Sequence, residues 1–167
     1  MTIQPGQALP DLEIDVIQDG APARRMRSAH LFAGARVVLF AVPTALTPTC
    51  SDPHLPGYLQ HLAAFLERGV SVSCLAVGDS SVMQAWAAIQ QVPAGLQMLA
   101  DETGAFTRAL GLAWDGTAYG MGLRARRFAL YAEDGVVRQL HVEAPGEFRV
   151  STAEAMLQAI PERAHTL

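Results

Sequence analysis

The sequence predicts an α/β fold, a mixed central β-sheet flanked by helices on both faces. Three observations lead there. Two short, continuous apolar runs have the length and composition of buried strands, segments with helical spacing separate and follow them, and one strong hairpin signal comes late in the chain. No internal repeat or linker divides the 167 residues, half of which are apolar, so a single domain over residues 1–167 is expected. A chain of this length buries roughly two-thirds of its unfolded surface and needs neither disulfide nor metal to hold its core.

In chain order, Asp11–Ile17 alternates weakly and reads as an edge strand, followed by a surface loop carrying Arg24, Arg25 and Arg27. Residues 36–42 form a continuous apolar run ending at Pro43, the pattern of a strand buried on both faces. A Pro- and Thr-rich stretch follows, then Leu59–Glu67 at helical spacing, with Gly69 placed to close that helix at C′. Val70–Val77 reads as a second buried strand. Ser80 or Ser81 can cap a helix running to about Gln91. A short strand at Leu96–Ala100 and a helix at Ala105–Leu110 come next. Phe128–Tyr131 and Val136–Val142 flank Glu133-Asp134-Gly135, a hairpin turn by composition. Ser151 followed by Glu154 fits a capping box opening a helix to Ile160.

Composition excludes several functions. The net charge is −4, and no concentrated basic face of the kind that binds nucleic acid stands out. Residues 37–42 are too short to span a bilayer, and Met1–Pro10 lacks the basic-then-apolar pattern of a secretory signal. Two cysteines do not make a disulfide framework, so a reducing, cytoplasmic setting is expected. All twelve basic residues are Arg, so any cation that activates a thiol here must be a guanidinium, whose charge does not titrate away.

Cys50 follows a buried strand and precedes a helix, with Thr47, Pro48 and Thr49 before it. Open backbone N–H groups and the positive end of a helix dipole lower a thiol's pKa there, and the thiolate is the nucleophilic form. A cysteine that is merely buried is the competing reading, since free Cys is among the most buried residue types. The polar, Pro-crowded setting at a strand-to-helix transition, where open sheets place ligands, favours the reactive one.

The stretch Pro43-Thr44-Ala45-Leu46-Thr47-Pro48-Thr49-Cys50 resembles the Pro-x-x-x-Thr-x-x-Cys signature of peroxiredoxins. Its continuation Ser51-Asp52-Pro53-His54-Leu55-Pro56-Gly57-Tyr58 is similar to the type II, or type five, subfamily. So are Val77-Gly78-Asp79, Leu99-Ala100-Asp101, Arg124-Ala125-Arg126-Arg127-Phe128 and Val142-Glu143-Ala144-Pro145-Gly146-Glu147-Phe148. Thr44 and Leu46 depart from the subfamily's Gly and Phe, in the loop but outside the fixed positions of the signature.

This resemblance implies a thioredoxin-like fold and a thiol peroxidase. The Cys50 thiolate attacks a peroxide oxygen and becomes a sulfenic acid. Thr47 hydrogen-bonds the peroxide, Arg127 stabilises the thiolate and the developing charge, and Pro43 shields the sulfur. Leu46, Thr49 and His54 line the substrate pocket, His54 as a wall or structural residue rather than a base. Arg124 or Arg126 could take the place of Arg127, and each of Thr47 and Arg127 could be an ordinary turn or surface residue. Trp86 and Trp114 are expected to pack, and Cys74, in the middle of a strand, to be structural. With no cysteine beyond residue 74, a one-cysteine cycle is implied, reset by glutathione with glutaredoxin or, as the rival, by thioredoxin. No cofactor or metal is expected, and relatives form homodimers. The alternatives are a redox sensor or binding module on the same scaffold, and a disulfide reductase, which would want a second cysteine three residues after Cys50.

Overall fold

In the computed structural model, which describes residues 1–43 and 54–162, the two apolar runs form adjacent strands in the middle of a seven-stranded sheet. They are β3 (Arg36–Ala41) and β4 (Val70–Val77). The other strands of that sheet are β1 (Glu13–Ile17), β2 (Arg24–Arg27), β5 (Leu96–Asp101), β8 (Phe128–Glu133) and β9 (Val136–Val142). Their spatial order is β2-β1-β5-β4-β3-β8-β9. The β3, β4 and β5 strands run parallel, and the remaining pairings are antiparallel. The mixed sheet expected from the sequence is what forms.

Alternation along β3 divides the core. Val38, Phe40 and Val42 join one apolar cluster, Val37, Leu39 and Ala41 the other, as side chains must along a pleated strand. The first face is covered by α2 (Leu55–Gln60), α3 (Leu62–Glu67), α4 (Ser80–Ile89) and α6 (Ala153–Ala159), through Tyr58, Phe65, Trp86 and Met156. The second is covered by α1 (Ser28–Phe32) and α5 (Ala105–Leu110), through Phe32, Phe106 and Leu110. A small separate hairpin pairs β6 (Ala113–Asp115) with β7 (Leu123–Ala125).

Several local expectations change. Asp11–Ile17 is not at the edge: β1 is nearly wholly buried between β5 and β2. The edge is β2, read from sequence as a loop because its four residues are Arg-Arg-Met-Arg. Two of its three arginines are matched by partners rather than by burial: Arg25 pairs with Asp15 and Glu102, and Arg27 with Asp11. Such an edge strand resists pairing with another chain because it is charged. The helix over 59–67 starts earlier, at Leu55, and is broken at His61, whose φ of −102° and ψ of 7° leave the helical region.

Both helix caps differ from the expected residues. Asp79, not Ser80 or Ser81, caps α4, its Oδ1 accepting from Ser81 N at 2.9 Å. Thr152, not Ser151, caps α6 by accepting from Ala155 N at 3.0 Å. A longer-range partner has taken the Ser151 hydroxyl, as described below. Asp79→Ala is expected to cost about 1 kcal/mol of stability, read as a lowered urea midpoint; an unchanged midpoint would remove the cap from the energetics. The hairpin turn forms as expected, with Asp134 and Gly135 both at positive φ, 49° and 76°, the geometry of a type I′ turn.

Candidate active site

Three strand ends meet at one corner of the sheet. Ala41, last in β3, is paired with Phe128, first in β8, and Phe128 is paired with Val142, last in β9. The residues next beyond these ends, Val42, Arg127 and Glu143, are therefore neighbours by register, and Pro43 follows Val42. The carboxyl end of a parallel strand is where open α/β sheets hold ligands. Glu143 N donates to Arg127 O at 3.0 Å and fixes the backbone of the arginine.

The Arg127 side chain is directed by His54. Its Nη1 donates to His54 Nδ1 at 2.7 Å, while His54 Nε2 meets Ser151 O at 3.2 Å. A guanidinium can only donate and a carbonyl can only accept, so the imidazole is neutral, with its proton on Nε2. Burial, and then the charge of Arg127, push the His54 pKa down to about 3. His54 is wholly buried. The sequence expected a pocket-wall or structural residue; the structure makes it the acceptor that aims Arg127.

Aromatic rings enclose the pair. Phe148 lies under the guanidinium, 5.7 Å from Cζ to ring centroid, and its edge meets the His54 ring at 4.9 Å. On the other side of His54 stand Phe40 at 4.9 Å and Tyr58 at 5.7 Å, themselves stacked 4.0 Å apart. Tyr58 Oη donates to the same Ser151 carbonyl at 2.8 Å, and burial raises its pKa well above the ordinary phenol value. Removing water from around a guanidinium strengthens its attraction for any anion brought to it. The half-buried Arg127 guanidinium, held by a buried neutral imidazole, can therefore stabilise negative charge brought to this corner.

The Redoxin family profile matches residues 4–157 of the chain. Peroxiredoxin-2E-2, chloroplastic, of Oryza sativa subsp. japonica is 41% identical over 165 residues, covering 95% of this chain and 73% of that protein. Peroxiredoxin-2C of the same organism is 40% identical, with 93% and 96% covered. Among solved structures, reduced Prx3 from Vibrio vulnificus in complex with H2O2 superposes with a TM-score of 0.87 at 42% identity, over 95% of this chain and all of that one. The chain is a peroxiredoxin. The match to plant proteins of the second peroxiredoxin class fits the type II subfamily, and the peroxiredoxin is accordingly an enzyme, a thiol peroxidase.

Of the site residues read from the peroxiredoxin's sequence, Arg127, His54 and Pro43 are in the described structure, and the first two are in contact. Pro43 is half-buried just beyond the end of β3. Cys50, Thr47, Thr49 and Leu46, together with the departures Thr44 and Leu46, lie outside the described residues. Arg124 sits in β7 opposite Trp114, and Arg126 N donates to Leu112 O at 2.8 Å; of the three arginines, only Arg127 has a recorded contact with His54. Trp86 is wholly buried as expected, but Trp114 is 37% exposed and stacks on Tyr119 rather than in the core. Cys74 is wholly buried in β4, the middle strand of the sheet. Phe148 and Glu143 fall within the stretch that resembles the subfamily, but an acidic and an aromatic residue in a Pro-Gly loop carry no local signal for the roles they have. Among the described residues no three His, Cys, Asp or Glu side chains converge as a metal site would require, and no helix is long and apolar enough to cross a membrane.

Proposed function

We propose that this peroxidase reduces hydrogen peroxide and organic hydroperoxides through Cys50, in a one-cysteine cycle. The observation that carries the reading is the Arg127 guanidinium held by His54 over Phe148 at the corner of the sheet beyond the end of β3. Cys50 is four residues from His54, so chain length alone keeps the two Cα atoms within about 14 Å. Its thiolate attacks the nearer peroxide oxygen, the O–O bond breaks, and the alcohol or water leaves with a proton. The sulfur is left as a sulfenic acid. Arg127 shares the negative charge of the thiolate and of the departing oxygen, Thr47 donates to the peroxide, and Pro43 excludes water. Leu46 and Thr49 shape the entrance.

An external thiol then attacks the sulfenic acid. Glutathione with glutaredoxin is the favoured reductant and thioredoxin the rival. What supports the one-cysteine cycle is the position of Cys74, wholly buried in the middle strand, where a resolving thiol would have to leave the core to reach Cys50. Cys74→Ser, in protein that remains folded, is therefore expected to keep multiple-turnover activity with each reductant to within about twofold, since the proposed cycle does not use Cys74. Loss of turnover with an intact first oxidation step would make Cys74 the resolving residue. A homodimer and a cytoplasmic location belong to the same reading. Steady-state turnover with glutathione–glutaredoxin against thioredoxin, on the same reduced protein, decides the reductant.

A further inference from the structure

Behind Arg127 the hydrogen bonds close into a ring. Glu143 N donates to Arg127 O, Ser151 N and Oγ donate to Glu143 Oε2 at 2.8 and 2.7 Å, His54 Nε2 donates to Ser151 O, and Arg127 Nη1 donates to His54 Nδ1. The Glu143 carboxylate also accepts from Arg149 N at 2.8 Å and Val150 N at 2.9 Å. One buried carboxylate thus gathers three consecutive backbone N–H groups and one hydroxyl, and folds residues 149–151 into a turn around itself. Phe148, which supports the guanidinium, enters that turn directly, and the Ser151 carbonyl, which fixes His54, leaves it.

From this arrangement we infer that Glu143 is a positioning residue for Arg127, acting through the Ser151 carbonyl and the His54 ring. The inference rests on the catalytic reading of Arg127. The chemistry is specific to a carboxylate. Four N–H and O–H donors converge on it, so only an acceptor with no proton of its own satisfies them all, and a donor left without a partner in a buried site is costly. While the turn holds, the Ser151 carbonyl demands a proton on His54 Nε2, and Nδ1 is left to accept from Arg127. If the turn loosens, the ring can exchange its proton to Nδ1, which then faces the guanidinium donor to donor. Burial works to raise the Glu143 pKa, but the bonds from Ser151, Arg149 and Val150 outweigh it and hold the carboxyl below its ordinary value.

The test is a double-mutant cycle on the first oxidation step. Reduced wild type, Glu143→Ala, Arg127→Ala and the double variant are mixed with hydrogen peroxide in a stopped-flow instrument. Glu143→Ala is expected to slow the reaction roughly tenfold to a hundredfold in the wild-type background, as a misplacement of about 1 Å can, and to have almost no effect in the Arg127→Ala background. Equal slowing in both backgrounds would make Glu143 merely structural and overturn the inference alone. An undiminished rate in Arg127→Ala would overturn the catalytic reading together with it. If Glu143→Ala does not fold, the same cycle is run with Glu143→Gln, and the His54 tautomer is read from its imidazole nitrogen resonances. Loss of the pure Nε2–H tautomer in Glu143→Gln is expected; an unchanged tautomer with a slowed reaction would break the proposed route through His54.

Discussion

Cys50→Ser is expected to reduce the oxidation step to the uncatalysed background, and Arg127→Ala to slow it by roughly 10²–10³-fold. The two losses have different origins. A serine hydroxyl stays protonated at neutral pH, so the first substitution removes the nucleophile, since the ionised sulfur is the reacting form. The second leaves a nucleophile but removes a cation that is held in place by the buried His54 ring and the face of Phe148. Arg127→Ala should therefore raise the pKa of the Cys50 thiol as well as slow the reaction at saturating ionisation. Thiolate absorbance against pH and stopped-flow rates at high pH separate the two effects. A wild-type rate in Cys50→Ser would transfer the chemistry to another residue.

Lowering the pH from 6 to 4.5 is expected to cost the folded state about 2 kcal/mol through His54 alone, at about 1.4 kcal/mol per pH unit. In the folded protein this imidazole stays neutral down to about pH 3, burial being the main cause and the Arg127 charge the second. In the unfolded chain it binds a proton near pH 6.5. Below 6.5 the unfolded state therefore holds one more proton, and stability falls with falling pH until the folded-state value is reached. The contribution is fully present above 6.5. Urea unfolding across this range should give a slope about one proton smaller for His54→Gln than for wild type, because a glutamine amide can donate and accept but does not titrate. Equal slopes would mean that His54 is already protonated in the fold.

The residues whose surroundings are set locally were legible from the sequence. The runs at 36–42 and 70–77 needed only their apolar composition to be assigned to the middle of the sheet, and Asp134-Gly135 needed only its tolerance of positive φ. The peroxiredoxin signature at residues 43–50 and the Arg127-Phe128 pair were equally visible, because they are fixed spacings of particular residue types. Ser151 was misread because a capping box is a local pattern. Ser151 and Thr152 compete for the cap, and the Glu143 carboxylate, eight residues upstream, takes the Ser151 hydroxyl and leaves the cap to Thr152. The β2 edge was missed for a related reason. Nothing in Arg-Arg-Met-Arg favours a strand until Asp15 on β1 and Glu102 beyond β5 supply its counter-charges.

His54 marks the boundary between the two kinds of information. By itself the sequence determined that this chain is a peroxiredoxin built on a mixed sheet, with a cysteine and an arginine placed for peroxide chemistry. Only the tertiary structure decided how that arginine is held. The acceptor on His54, the ring of Phe148 and the carboxylate of Glu143 come from three separate segments, at residues 54, 148 and 143. They are brought to Arg127 because β3 ends, β8 begins and β9 ends in register at the same corner. A hydrogen bond depends on distance and angle between groups far apart in the chain, and those are fixed by strand pairing rather than by neighbouring residues.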